Sequence, residues 1–167
     1  REVGELFGAA FREAGLETEW VEGAAFDRAG HLVARHGDRG PHFVMIGHLD
    51  TVFEPDSPFQ RFERIEGNRA RGPGIVDMKG GNVIILEALR ALDAVGALDG
   101  MQVTVVLIGD EESSGRPLSV ARKALTDAAR EADIALGFEN GDSNPETAVI
   151  ARRGYTGWQL EVTGTPA

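Results

Sequence analysis

The sequence predicts an α/β domain built on a largely parallel sheet flanked by helices. Three observations predict the α/β class. Apolar runs of strand length at residues 43–46, 102–108 and 133–138 show little polar alternation, as expected of strands covered on both faces. Segments between them carry apolar residues at helical spacing. Each run then ends in His, Asp or Glu, at the strand ends where α/β sheets bind ligands.

The elements follow in order. In residues 2–14, Val3, Leu6, Phe7, Ala10, Phe11 and Ala14 share one helical face, and Gly15 ends the helix. Residues 18–22 and 24–28 alternate as strands do, and Asp27-Arg28-Ala29-Gly30 reads as a hairpin turn into residues 31–34. Residues 37–41 are a loop before the first buried strand, 43–46. Residues 53–64 mix turn-formers with aromatics and are expected to be irregular. A helix over 82–95 ends at Gly96 and leads to the strand 102–108. A second helix is expected over 117–131, with Pro117 suited to its first turn. The strand 133–138 follows. Residues 147–151 and 156–163 are β-prone and read as a hairpin across Arg152-Arg153-Gly154-Tyr155.

Composition narrows the function. With 167 residues, 42% of them hydrophobic, the chain can build a core, as one domain or a large part of one. The net charge of −10 argues against a nucleic-acid or anionic-membrane partner. There is no cysteine, hence no disulfide framework and no thiolate-ligated zinc. No apolar run reaches the roughly 18 residues of a membrane span. The chain begins at Arg1 without an initiator Met or signal pattern and is expected to be cut at its front. Its compartment, cytoplasmic or periplasmic/secreted, is therefore left open.

The chemistry concentrates on one loop, Gly72-Pro73-Gly74-Ile75-Val76-Asp77-Met78-Lys79-Gly80-Gly81. It brings Asp77 and Lys79 to the mouth of a helix, and its glycines permit close backbone approach. A phosphate cradle does not fit, because neither G-x-x-x-x-G-K-[ST] nor a strand-linked G-x-G-x-x-G is present. A nucleotide-binding domain is disfavoured for the same reason. Upstream, His48 and Asp50 follow a strand two residues apart, so Asp50 can hold the second ring nitrogen of His48. Downstream, Glu111 and Glu112 are adjacent and should point apart, one toward a metal and the other toward substrate as a general base. Glu139 ends the third strand. Each residue alone suits a solvated turn or strand end; together they suggest a metal site. His31, His36 and His42 read as non-ligands. Arg152 and Arg153 read as a solvated pair, with binding of a substrate carboxylate as the alternative.

Gly47-His48-Leu49-Asp50-Thr51-Val52, the Gly72–Gly81 loop and Asp110-Glu111-Glu112 resemble three successive motifs of the M20 metallopeptidases. The similarity is to the glutamate carboxypeptidase-like and acetylornithine deacetylase-like branch. It implies a dinuclear zinc hydrolase, with Co or Mn as alternative metals. Such an enzyme cleaves an amide or peptide bond next to an amino acid through a metal-bridging water, as a carboxypeptidase, dipeptidase or N-acyl amino acid deacylase. By the resemblance His48, Asp77 and Glu139 hold one zinc and Asp77 and Glu112 the other, with Asp77 bridging. Asp50 orients His48, and Glu111 is the general base.

The resemblance also implies a boundary. Family members insert a smaller lid or dimerisation domain after a segment like Val162-Thr163-Gly164-Thr165-Pro166-Ala167. Residues 1–167 are thus expected to be part of a catalytic domain, with the lid and a last histidine ligand elsewhere in a full-length homodimer. Substrates would be small peptides or N-acyl amino acids. A non-catalytic M20-like binding domain is the competing expectation, with this fragment itself inactive.

Overall fold

The computed structural model describes residues 1–141, 144, 146–151, 153–154 and 156–165. Helix α1 (Glu2–Glu13) precedes strands β1 (Glu17–Glu22), β2 (Gly30–His36) and β3 (His42–His48). Two short strands, β4 (Glu63–Arg64) and β5 (Ala70–Arg71), pair with each other. Helix α2 (Gly80–Ala94), strand β6 (Gln102–Ile108), helices α3 (Leu118–Ala121) and α4 (Lys123–Glu131) and strand β7 (Ile134–Gly137) complete the fold.

The five long strands form one sheet in the order β1-β2-β6-β3-β7. β6, β3 and β7 are mutually parallel, while β2 runs antiparallel to both β6 and β1. Four strands therefore point the same way and only β2 opposes them. The strand β6 shows why the sheet is covered twice. Its Val103, Val105 and Leu107 join Phe11, Met45, Ile85 and Leu89 in one core, under α1 and α2. Its Val106 and Ile108 join Val44 and Ala128 in a second core, under α4. The period of two along the strand divides these residues between opposite faces.

The chain passes from β3 through α2 to β6 on one side, then through α4 to β7 on the other side of β3. The carboxyl end of β3 is thus the switch point of a doubly wound sheet, where a crevice opens. No helix among the described residues is long and apolar enough to cross a membrane.

Several expectations are corrected. Residues 24–26 form a single 3-10 turn, not strand, and Asp27 takes a left-handed conformation (φ 55°) as it closes the β1–β2 connection. The helix expected over 117–131 breaks at Arg122 into α3 and α4. Strand β7 lies at the sheet edge with its residues exposed, so its apolar character does not report burial. The described residues of 147–151 and 156–163 form no strand, because β propensity needs a packed partner and these residues are solvent-exposed. Arg152, Tyr155, Pro166 and Ala167 lie outside the described residues.

Candidate metal centre

Three parallel strands bring their carboxyl ends together here. His48 is the last residue of β3, Glu111 and Glu112 follow β6, and Glu139 follows β7. Asp77 arrives from the turn that opens α2. Inside that turn Asp77 and Met78 leave helical geometry (φ −120°, ψ 95° and φ −131°, ψ 37°). Met78 is fully buried and anchors the turn, while the Asp77 side chain stays about half exposed and faces the crevice. Gly81 sets the spacing to β7, since a Cβ there would lie 2.1 Å from the Phe138 carbonyl oxygen.

The ring of His48 is 1% exposed, and its two nitrogens have different surroundings. Nε2 lies 3.0 Å from Asp77 Oδ1 and 3.3 Å from Glu139 Oε1. Nδ1 lies 3.2 Å from the Asp50 carbonyl oxygen and 3.4 Å from its carboxylate. The ring therefore presents Nε2 to the carboxylates while Asp50 holds the other side, the arrangement typical of a metal-bound histidine. Ligand atoms of His48, Asp77 and Glu139 lie within 4.8 Å of one another, as do those of His48, Glu111 and Glu112.

The adjacent glutamates are only partly as expected. Both offer an oxygen to the group around His48, because they sit on a loop without regular strand or helix geometry. They nevertheless line different spaces. Glu112 borders a cleft of about 390 Å³, which Val52, Phe53, Phe59, Ile75 and Val76 make largely apolar. Glu111 borders a smaller cavity of about 290 Å³, lined by Asp77, Glu139 and Asn140. Asp77 faces both.

Crowding of like charges shows in the acid–base properties. Burial, together with the neighbouring Asp77 and Glu111, raises the carboxyl pKa of both Glu112 and Glu139, against the opposing effect of His48. Burial disfavours the charged form of His48, but hydrogen bonds to Asp50 and Asp77 and the nearby Glu139 outweigh it and hold the ring at about 9. For Asp50 burial acts upward, yet hydrogen bonds from His48 and from the Glu112 and Glu111 amides bring its pKa below the ordinary value. Lys79 is lowered by burial despite Asp50, Asp77 and Glu112 nearby. The donor set, one imidazole nitrogen with several carboxylate oxygens, fits a zinc ion.

The profile of peptidase family M20/M25/M40 matches residues 44–159. The chain belongs to this family. Carboxypeptidase G2 of Pseudomonas sp. (strain RS-16) is 29% identical over 163 residues, covering 97% of this chain and 39% of that protein. Succinyl-diaminopimelate desuccinylase of Methylocella silvestris is 34% identical over 114 residues, covering 65% of this chain and 29% of that protein. The chain thus spans well under half the length of the M20 relatives it matches. Human carnosine dipeptidase 1 shares the fold with a TM-score of 0.63 at 17% identity, over 81% of this chain and 32% of that one. A tripeptidase of Staphylococcus aureus gives 0.63 at 21% identity, over 81% and 37%.

Of the M20 motif residues, His48, Asp50, Asp77, Glu111, Glu112 and Glu139 all converge on one crevice. His31 and His42 are buried elsewhere and bonded to main-chain atoms, and His36 ends β2 away from the group. Arg153 is exposed. Sequence reasoning missed Asn82, whose side-chain amide donates to the His48 carbonyl at 2.7 Å and ties α2 to the end of β3. A polar residue just before the apolar run at residues 83–86, in the first turn of the helix, is the signal that could have revealed it.

Proposed function

We propose that the full-length protein hydrolyses an amide or peptide bond next to an amino acid, with zinc held by residues of this chain. The observation that carries the reading is the two-sided environment of His48: carboxylates at Nε2 and Asp50 at Nδ1. His48, Asp77 and Glu139 would hold one ion. Asp77 and Glu112 would contribute to a second, with a further ligand from the rest of the protein. When bound, zinc supplies a Lewis acid for the scissile carbonyl and makes water acidic enough to act as nucleophile near neutral pH.

The chain's own groups do the rest. Glu111 takes the proton lost by the attacking water on a carboxylate oxygen and delivers it to the leaving amine nitrogen, so a C–O bond forms as the C–N bond breaks. Asp50 keeps Nδ1 of His48 protonated and leaves Nε2 as the donor to metal. The apolar cleft beside Glu112 would accept an uncharged flank of the substrate and exclude water from it. A C-terminal glutamate-type peptide bond, a dipeptide or an N-acyl amino acid all present the required amide.

Assay of the full-length protein on these three substrate types, before and after chelation, tests the reading. Hydrolysis that disappears on chelation and returns with zinc is expected. No hydrolysis of any of them with zinc present would favour a non-catalytic binding domain.

A further inference from the structure

We propose that Arg122 is a positioning residue for Glu111 and Glu112, acting through the buried Asp110 carboxylate and the loop it holds. The inference rests on the reading of Glu112 as a metal ligand.

Asp110 is the second residue beyond β6 and is fully buried. An isolated buried carboxylate is costly, so its partners matter. Its Oδ1 accepts a hydrogen bond from Arg122 Nη1, and its Oδ2 accepts the Gly115 amide at 2.9 Å. Arg122 Nη2 also donates to the Asp110 carbonyl at 3.1 Å and to Ser114 Oγ at 3.0 Å. One guanidinium thus grips the loop at Asp110 and at Ser114. Such a fork is rigid, and Lys would supply the charge without the geometry.

His31 completes the grip from β2. Its Nε2–H donates to the Ala121 carbonyl at 2.8 Å, which leaves Nδ1 to accept the Gly109 amide at 3.1 Å. Phe26 stacks on the ring at a centroid distance of 4.8 Å. Gly109 and Ala121, the residues that immediately precede Asp110 and Arg122, are therefore held by a single side chain.

The front of the loop is different. The amides of Glu111 and Glu112 donate to the Asp50 carboxylate, and their side chains project toward Asp77 and Glu139. Like charges in this crevice repel one another, so a free loop would swing the glutamates out into water. The clamp behind the loop opposes that movement. It gives the loop end a defined position before metal arrives, which is where binding affinity is gained.

The test uses Co²⁺ as the probe on the full-length protein, reading its visible spectrum and its affinity. Arg122→Gln is expected to lower Co²⁺ affinity about 10–100-fold and to shift the spectrum toward that of Glu112→Gln, with Arg122→Lys intermediate. Should Arg122→Gln fail to fold, Arg28→Gln gives the same reading. That guanidinium binds the Ser113 carbonyl at 2.7 Å and its hydroxyl at 2.9 Å from the loop's outer side. Loss of this tie should weaken Co²⁺ in the same direction. If Glu112→Gln itself leaves the Co²⁺ spectrum unchanged, the ligand assignment fails. If Glu112→Gln changes it while folded Arg122→Gln, or Arg28→Gln in its place, binds Co²⁺ as the unmutated protein does, the positioning role is overturned.

Discussion

The Glu112 amide donates to Asp50 Oδ2 at 3.0 Å, so one carboxylate joins the loop after β6 to the histidine at the end of β3. The Glu111 amide binds the other oxygen of the same carboxylate at 3.2 Å. Asp50 therefore orients more than His48. It fixes the relative position of two candidate ligands that come from different strands.

Replacing Asp50 should consequently affect both. Asp50→Asn removes the charge that supports the His48 ring, and its amide nitrogen cannot accept the loop N–H groups. Zinc affinity is expected to fall about 10–100-fold, measured by competition with a chelating dye. Unchanged affinity would mean that neither His48 nor Glu112 depends on Asp50.

Glu111 has a separate signature. Glu111→Gln in the full-length protein should retain zinc and lose about 10²–10⁴-fold in turnover, the usual contribution of general acid–base catalysis. Metal content and kcat measured on the same sample check this. A variant that loses its zinc would make Glu111 a ligand instead.

The metal-free chain should respond to pH in a defined direction. The folded pKa of His48, about 9, lies above its ordinary value of 6.5. The stabilisation from its charged form is therefore complete below about 6.5 and is lost as pH rises through 9. Glu112 and Glu139, also raised, act with the same sign, whereas Asp50 and Lys79, both lowered, act oppositely. The contribution of His48 spans the interval from 6.5 to 9. Thermal melts in chelator should show Tm falling across it, and His48→Asn should flatten the slope.

Packing at the helix mouth gives a prediction about stability. Gly81→Ala would place a methyl group 2.1 Å from the Phe138 carbonyl, a main-chain atom that cannot swing aside. Overpacking of this kind costs about 1–3 kcal/mol, and here it would also push Glu139 away from His48. Denaturant unfolding together with zinc titration should record both losses.

The sheet and the site were legible in the sequence to different degrees. The strand-end positions of His48, Glu111, Glu112 and Glu139 could be read because uninterrupted apolar runs announce buried strands and the polar residue after them marks the end. Strand β7 was read by the same signal yet proved exposed, since an edge strand can be apolar without being covered. The group of His31, Asp110 and Arg122 left no local pattern. Its members lie 79 and 12 residues apart along the chain, as their numbers show, and meet only because β2 pairs with β6 and α3 ends beside them. Residues 24–28 alternated as a strand does, but no partner strand takes them up in the fold.

The central claim is that His48, Asp77 and Glu139 form one zinc site. The most direct measurement is anomalous diffraction at the zinc edge from crystals of this chain grown with zinc. A peak is expected about 2.0–2.2 Å from His48 Nε2 and from oxygens of Asp77 and Glu139, absent in His48→Asn. A fully occupied peak elsewhere, with His48 Nε2 still bonded to Asp77 and Glu139, would contradict it.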